Sequence, residues 1–113
     1  MASTQQLIDE AAKIYKVLSN STRIKILYYL RHQEHEIDVK SMVNDLQLAQ
    51  PIISKQLGIL YRYQLVCRHK EGTRVFYSLD DPHVVEMIDD MLNHVKHEIK
   101  GEPHPQNLYT RIR

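Results

Sequence analysis

The segment that decides the fold is residues 38–60, with the sequence DVKSMVNDLQLAQPIISKQLGIL. Asp38 is a suitable N-cap for a short helix whose apolar residues recur at helical spacing. Residues 47–50 form a short connection. Pro51 suits the first position of a second helix, because the backbone N–H that proline lacks has no partner there. The segment therefore predicts two helices joined by a tight turn.

Two longer helices are predicted before this segment. Ser3 or Thr4 can cap the first helix, with Gln6 completing a capping box. Ser21 can cap the second helix, which should run to about His32. Apolar residues cover so much of this second helix that we expect it to lie at the centre of the core.

A hairpin and a last helix are predicted after the segment. Apolar and polar residues alternate over residues 65–70 and roughly again over residues 74–79, with Gly72 in the turn between them. Cys67 lies within this pattern, and we expect it to be a small packed side chain. Asp81, followed by proline, marks the start of the last helix.

Helix, turn, helix and basic hairpin in this order are typical of a winged helix-turn-helix. The predicted fold class is therefore α+β and mainly helical. The chain has 113 residues, of which 42% are hydrophobic, and this suits a single domain. We expect residues 1–101 to form this domain and residues 102–113 to form a flexible C-terminal tail.

The composition argues against several classes of protein. The apolar runs are only a few residues long, which excludes a membrane span of about 20 residues. The N-terminus lacks the basic and apolar regions of a secretory signal. The single cysteine cannot form an intrachain disulfide, so the cytoplasm is the expected compartment.

The net charge of +1 hides two blocks of opposite sign. Residues 49–78 carry five basic residues and one acidic residue, whereas residues 79–100 carry two basic residues and six acidic ones. This asymmetry suggests that the two blocks serve different partners, and the alternative is that both are solvated faces.

The basic block coincides with the second helix of the helix-turn-helix and with the hairpin, which indicates binding to double-stranded DNA. In this motif the second helix enters the major groove, where polar side chains near its N-terminus contact base edges and phosphates. The predicted DNA contacts are these side chains and the basic residues of the hairpin: Gln50, Ser54, Lys55, Gln56, Arg68, Lys70 and Arg74. A three-helix domain with an unrelated hairpin is the alternative.

The two ends of the last helix carry side chains that can bind metal ions: Asp81, His83, His94 and His97. His94 and His97 are three residues apart and share a face of the helix. His83 lies on nearly the same face, but its distance from His94 along the helix axis is roughly 16 Å. One metal ion, with bonds of about 2 Å, cannot be bound by both ends of one helix.

Two copies of the last helix, packed antiparallel, would bring its two ends together. Three imidazole nitrogens and one carboxylate oxygen suit four-coordinate zinc, with cobalt as a substitute, and a two-fold axis gives two such sites in a homodimer. Two simpler roles stay open: Asp81 as an N-cap, and the two later histidines as partners of the helix dipole. His104, in the tail, is an additional candidate ligand.

These residues together resemble the ArsR/SmtB family of bacterial metal-responsive transcriptional repressors, in the zinc-sensing branch related to CzrA and SmtB. The resemblance covers roughly residues 8–100 and is densest in LSNSTRIKIL (18–27), ISKQLGIL (53–60) and YSLDDPH (77–83). It implies that the N- and C-terminal helices form a homodimer interface, so that residues 1–101 contain both the DNA-binding and the dimerisation surfaces.

The family implies a function and a switch. The apo homodimer would bind operator DNA, and zinc at the site between the subunits would release it. Asp81 and His83 of one subunit and His94 and His97 of the other would be the ligands. A hydrogen bond from metal-bound His94 to the backbone near Gln64 would form the allosteric link. The protein would be cytoplasmic, and associated with the nucleoid when bound to DNA.

Departures from the family pattern leave some properties open. Residues 37–39 lack the cysteine pair of the cadmium- and lead-sensing relatives, so that second metal site is absent. Lys55 and Pro51 replace residues that are common in relatives, which leaves the operator preference open. The alternative function is a winged-helix regulator that responds to nickel or cobalt, or to a non-metal signal.

A metallo-hydrolase is the alternative from another class of protein. Four protein ligands would leave no open position for a catalytic water. We therefore expect no enzymatic activity. We also expect no membrane association and no partner protein other than a second copy of the chain.

Overall fold

The computed structural model describes residues 1–100 of the chain, with the side chains of residues 1–99. The predicted tail and His104 lie outside the described residues. Within residues 1–100, no helix is long and apolar enough to cross a membrane. The elements of this part are, in chain order, α1 (Thr4–Leu18), α2 (Ser21–Arg31), β1 (Ile37–Asp38), α3 (Val39–Leu46), α4 (Gln50–Arg62), β2 (Cys67–Glu71), β3 (Arg74–Ser78) and α5 (Pro82–Lys100).

The N-terminus of α1 has the predicted capping box. The Ser3 backbone N–H donates to Gln6 Oε1 at 2.7 Å, and the Gln6 backbone N–H donates to Ser3 Oγ at 3.1 Å. The N-cap of α2 is Asn20, whose side chain accepts from the Arg23 backbone N–H at 3.0 Å. The prediction of Ser21 is therefore wrong by one residue, because Asn20 is the last residue with extended backbone before the helix.

The two helices α3 and α4 form the predicted helix-turn-helix. Asp38 is the N-cap of α3, as predicted, and its side chain accepts from the Ser41 backbone N–H. Gln47 ends α3 in the left-handed conformation, with φ of 56°. Ala49 is the N-cap of α4, and Pro51 lies in the first turn.

The core is built around α2 and α4. The side chains that are 0% exposed are Ile26, Leu27, Met42, Ile53, Leu57 and Leu60. Helix α4 contacts both α2 and α3, and the central position predicted for α2 is confirmed. Burial of each such side chain contributes about 1.5–3 kcal/mol, so this apolar face determines how α4 is rotated about its axis.

The three strands pair antiparallel in the order β1-β3-β2. The predicted hairpin is confirmed, with Gly72 at φ of 62° in its turn. The short strand β1 was not predicted. Its two residues pair with β3 through Ile37 to Tyr77 and Asp38 to Phe76, and two residues are too few to show an alternating pattern.

Strand β2 differs from the prediction in one respect. Cys67, expected to be packed, is exposed, as are all five residues of the strand. The alternation of residue types predicted a covered face, but no other layer of the described residues covers either face of β2. The apolar residues just before it, Leu65 and Val66, are the buried ones.

Helix α4 ends in a Schellman motif that leads directly into β2. Gln64 adopts φ of 60°, and its N–H donates to the carbonyl of Tyr61 at 3.0 Å. The N–H of Leu65 donates to the carbonyl of Leu60 at 2.9 Å, and both leucines are buried. This pattern of two bonds and one apolar contact is the usual one at a helix end, here with glutamine in the position that most often holds glycine.

One carboxylate connects β1, α3 and β3. Asp38 is only 8% exposed, and Arg74 Nη2 in β3 donates to its Oδ2 at 2.8 Å. Hydrogen bonds from Ser41, and then from Arg74, lower the pKa of Asp38 to about 2. The charged form of this carboxylate therefore stabilises the folded state.

We predict opposite effects of the same substitution at two glycines. Gly58→Ala should raise the free energy of unfolding by about 0.5–1 kcal/mol, because alanine is the better helix former and no atom lies within 4 Å of the added Cβ. Gly72→Ala should lower it by about 1 kcal/mol, because φ of +62° is unfavourable for a residue with a Cβ. Urea denaturation followed by circular dichroism measures both, and shifts of the same sign would contradict the assignment.

We also predict a pH dependence of stability that comes from Asp38. Its folded-state pKa of about 2 is below the unfolded value of about 3.9. The stabilisation, about 2 kcal/mol, should be complete above pH 4–5 and should disappear as the pH falls through 2. The difference in unfolding free energy between the wild type and Asp38→Asn should accordingly shrink between pH 6 and pH 2.5. A constant difference across this range would contradict the assignment.

Candidate nucleic-acid interface and metal-ligand positions

The first turns of α4 present three of the predicted DNA contacts. Gln50, Ser54 and Lys55 are exposed. Gln50 Nε2 donates to Ser54 Oγ at 3.2 Å, so these two side chains lie side by side on one face of the helix. Their donors and acceptors are of the kind that contacts base edges and phosphates in the major groove.

Gln56 occupies a different position from the other three residues of α4. It is half-buried, and its Oε1 accepts from Arg23 Nε at 2.8 Å. Arg23 also donates through Nη1 to the carbonyl of Val17 at 3.0 Å, so this arginine joins α4 to α2 and to the end of α1. In this arrangement Gln56 stabilises the packing of α4.

Two arginines of the hairpin, which we call the wing (Cys67–Ser78), also contact neighbouring elements. The Arg68 guanidinium lies over the ring of Tyr61 in α4, with 3.8 Å from Cζ to the ring centroid. A hydrogen bond to Tyr77 raises the pKa of Arg68, which stays charged at any physiological pH. Arg74 pairs with Asp38 and lies over Phe76 at 4.9 Å.

Lys70 is the third predicted contact in the wing. It is exposed and lies on β2 opposite Val75. Among the described residues, its side chain makes no hydrogen bond and no ion pair. Its ammonium group is therefore available to a phosphate.

His69, in the wing, contacts an aromatic ring and two acidic side chains. Its ring stacks on Phe76, with 5.5 Å between ring centroids. Nδ1 faces Glu36 at 2.5 Å, and Nε2 faces Glu71 at 3.5 Å. The contact with Glu36 joins β2 to the loop before β1, a link that the sequence pattern did not indicate.

The predicted metal ligands lie at the two ends of α5, as the helical spacing requires. Asp81 is the cap of the helix: its Oδ1 accepts from the His83 backbone N–H at 2.8 Å and lies 3.2 Å from His83 Nδ1. Near the other end, His94 is exposed and His97 is half-buried. Within residues 1–100 of a single chain, no group of three His, Cys, Asp or Glu side chains is arranged to hold a metal ion.

An ion pair fastens the middle of α5 to α2. Arg31 Nε donates to both carboxylate oxygens of Asp89 at 3.1 Å, and Arg31 Nη2 donates to Asp89 Oδ2 at 2.9 Å. Such a bidentate pair fixes relative orientation as well as distance. The sequence does not indicate this pair, because residues 58 positions apart carry no spacing signal.

Helices α1 and α5 expose large apolar side chains. In the described part of the chain these include Leu7, Ile8 and Tyr15 of α1 and Met91, Val95 and Ile99 of α5. Exposed apolar residues of this size, on two helices that both pack against α2, are typical of a protein-protein interface. Gln64, the predicted partner of His94 in the allosteric link, has an exposed side chain and lies just after α4.

Comparison with known proteins identifies the family. The model of the family described as "Bacterial regulatory protein, arsR family" matches residues 20–67, from the cap of α2 to the start of the wing. The cadmium resistance transcriptional regulatory protein CadC homolog of Staphylococcus aureus is 35% identical over 85 residues, which cover 75% of this chain and 69% of that protein. The transcriptional repressor SmtB of Mycobacterium tuberculosis is 30% identical over 90 residues, which cover 80% of this chain and 65% of that protein.

Solved structures have the same fold. The homodimeric winged helix-turn-helix DNA-binding domain of Mb0332 from Mycobacterium bovis superimposes with a TM-score of 0.77. The match is 23% identical in sequence and covers 93% of this chain and 97% of that one. The predicted winged helix-turn-helix fold is confirmed.

The family consists of DNA-binding transcriptional regulators and not of enzymes, which excludes the hydrolase alternative. The helix-turn-helix described above lies within the part of the chain that the family model matches, and the wing follows directly after it. The chain belongs to the ArsR/SmtB family of transcriptional regulators.

Proposed function

We propose that the chain is a homodimeric, zinc-responsive transcriptional repressor whose apo form binds operator DNA and releases it when zinc binds. It would act in the cytoplasm, where bacterial operators are found. The observation that carries the proposal is the placement of two metal-binding side chains at each end of α5, Asp81 with His83 and His94 with His97.

The first step of the argument is the dimer. Met91 is 53% exposed, Val95 40% and Ile99 79%, all on α5. Helix α1 also exposes large apolar side chains, among them Leu7 and Tyr15. A second copy related by a two-fold axis would cover the same residues on both chains, which is how most homodimers form.

The second step is the metal site. An antiparallel pair of α5 helices would bring Asp81 and His83 of one chain to His94 and His97 of the other. The donor set of three imidazoles and one carboxylate fits tetrahedral zinc and also cobalt. Asp81 is already held by the His83 backbone N–H at 2.8 Å, so its cap role and its ligand role are compatible through its two oxygens.

The relatives support response to a metal. The Staphylococcus aureus relative is named for cadmium resistance, and the Mycobacterium tuberculosis relative is named as a repressor. The histidine-rich donor set of this chain favours zinc over cadmium, because cadmium prefers softer thiolate ligands. The only cysteine of the chain, Cys67, is in the wing, away from α5 in the sequence.

The third step is DNA binding. Gln50, Ser54 and Lys55 are exposed together on α4, which is the helix that enters the major groove in this motif. Lys70 extends the positive surface onto the wing. We propose that these four residues make the direct DNA contacts.

The last step is coupling between the two sites. The Arg31–Asp89 pair ties α5 to α2, and the Arg23–Gln56 bond ties α2 to the DNA-reading helix. A change in α5 packing would therefore reach α4 through two directional contacts. We propose that His94 and the backbone near Gln64 form a further link. Because coupling free energies are reciprocal, DNA must weaken zinc binding by the same factor.

Operator release by zinc is the first prediction from this proposal. The DNA for this experiment is a fluorescently labelled duplex, with the sequence that the apo protein selects from a library of random duplexes. Zinc should weaken wild-type binding at least about fivefold, the lower limit of typical allosteric coupling. His97→Ala should bind the duplex as apo protein but lose most of this response, because a ligand is missing. Fluorescence anisotropy measures the affinities.

The matched control for this experiment is His35→Ala, which removes an exposed loop histidine and should keep the full zinc response. Nickel in place of zinc tests the alternative metal. An unchanged wild-type affinity in zinc, or a full zinc response in His97→Ala, would contradict the proposal. A larger response to nickel than to zinc would favour the alternative regulator.

The dimer interface gives a second prediction. Met91→Glu places a charge within the exposed apolar face of α5 and should shift the protein from dimer to monomer, because a buried unpaired carboxylate is costly. Glu86→Gln, at an exposed polar position of the same helix, should leave the dimer intact. Sedimentation equilibrium gives both masses. A dimeric Met91→Glu variant would show that this face of α5 is not the interface.

A further inference from the structure

The two oxygens of the Asp38 carboxylate accept hydrogen bonds from two different elements, α3 and the wing. Oδ1 accepts from the Ser41 backbone N–H at 3.2 Å and so caps α3, the first helix of the helix-turn-helix. Oδ2 accepts from Arg74 Nη2 in the wing at 2.8 Å. The Asp38 backbone lies in β1 and pairs with Phe76, so the carboxylate is held on the wing side by the sheet as well.

Burial makes this contact more than a surface ion pair. The Asp38 side chain is 11% exposed, whereas that of Arg74 is 62% exposed. The Arg74 guanidinium also lies over the ring of Phe76, 4.9 Å from its centroid, so it is held by two partners. A DNA phosphate would have to compete with a carboxylate that is already in hydrogen-bond contact.

The wing is also braced against the DNA-reading helix. Arg68 lies over Tyr61 in the last turns of α4 at 3.8 Å, so one arginine of the wing faces α4 and the other faces the cap of α3. Lys70 makes neither kind of contact within residues 1–100. The basic residues of the wing thus fall into two structural classes.

We propose that Asp38 is a positioning residue for operator binding, which holds the wing against the start of α3 through Arg74. In this role, which we call a strut, Arg74 connects the wing to Asp38 and does not contact DNA. Lys70 is then the phosphate contact of the wing. The inference rests on the proposed binding of operator DNA by α4 and the wing. The Asp38–Arg74 pair sets the angle between the wing and the helix-turn-helix, and therefore whether both can meet the duplex together.

The two roles of Arg74 give opposite results for Asp38→Asn. If Arg74 contacts a phosphate, removal of the nearby negative charge should leave operator affinity unchanged or raise it. If Arg74 is a strut, the same substitution should lower operator affinity, because the wing loses its anchor. Asparagine is as good an N-cap as aspartate, so the start of α3 is kept in both cases.

The test measures operator affinity by anisotropy, at several salt concentrations, for the wild type and four variants: Asp38→Asn, Arg74→Gln, the double variant and Lys70→Gln. We expect Asp38→Asn and Arg74→Gln each to weaken binding on the order of fivefold, and the double variant to be no weaker than either, as for residues that act as one unit. Loss of a phosphate contact lowers the slope of log affinity against log salt by about 0.9. We expect this loss for Lys70→Gln alone.

Three results would overturn the inference while leaving DNA binding intact: unchanged or higher affinity in Asp38→Asn, additive effects in the double variant, or a reduced salt slope in Arg74→Gln. If the wild type binds no duplex, or binds equally well after Ser54→Ala with Lys55→Ala, the proposed function itself fails. Thermal unfolding of each variant identifies any that is not folded at the assay temperature. If Asp38→Asn is unfolded, the slope of log affinity against log salt for Arg74→Gln still decides whether Arg74 is a strut or a phosphate contact.

Discussion

The apolar face of α4 is the constraint on which the rest of the structure depends. Ile53, Leu57 and Leu60 are 0% exposed, packed among residues of α2 and α3. With this face fixed, the opposite face of α4 has to point to solvent. The exposed surface at Gln50, Ser54 and Lys55, which we propose reads DNA, is thus a consequence of core packing, and no separate interaction is needed to orient it.

The basic residues that the sequence predicts as DNA contacts fall into two groups in the structure. Of the basic residues predicted to face DNA, Arg68 and Arg74 are used within the protein, whereas Lys55 and Lys70 are presented to solvent. This division suits the two side chains, because guanidinium groups stack on rings and form directed bonds while lysine acts as a flexible point charge. The near-zero net charge of the chain is compatible with a small, local positive surface.

Helical periodicity and cap chemistry were enough to predict the five helices and the hairpin of the described residues. Spacing along one helix gives both direction and distance, so it also predicted that the four proposed ligands lie at the two ends of α5. The half-buried position of Gln56 also follows from the helical spacing. It lies three residues after Ile53 and four before Leu60, at the border of the buried face.

The sequence did not reveal contacts between distant residues. Arg31 and Asp89, or Asp38 and Arg74, are single residues on different elements, and their pairing depends on the complete fold. Strand β1 was missed because it exists only through its pairing with β3. The prediction that Cys67 is packed was wrong for a related reason. Alternation of residue types along a strand does not show whether another layer covers the strand.

Strand β2 is the edge of the sheet, and all five of its residues are exposed. An uncovered edge offers unpaired backbone groups to any other strand, including the edge of a second copy. Here the edge carries Arg68, His69 and Lys70 in succession, so two such edges meeting would bring like charges together. The charges that we propose bring the wing to DNA therefore also oppose pairing between the β2 edges of two copies.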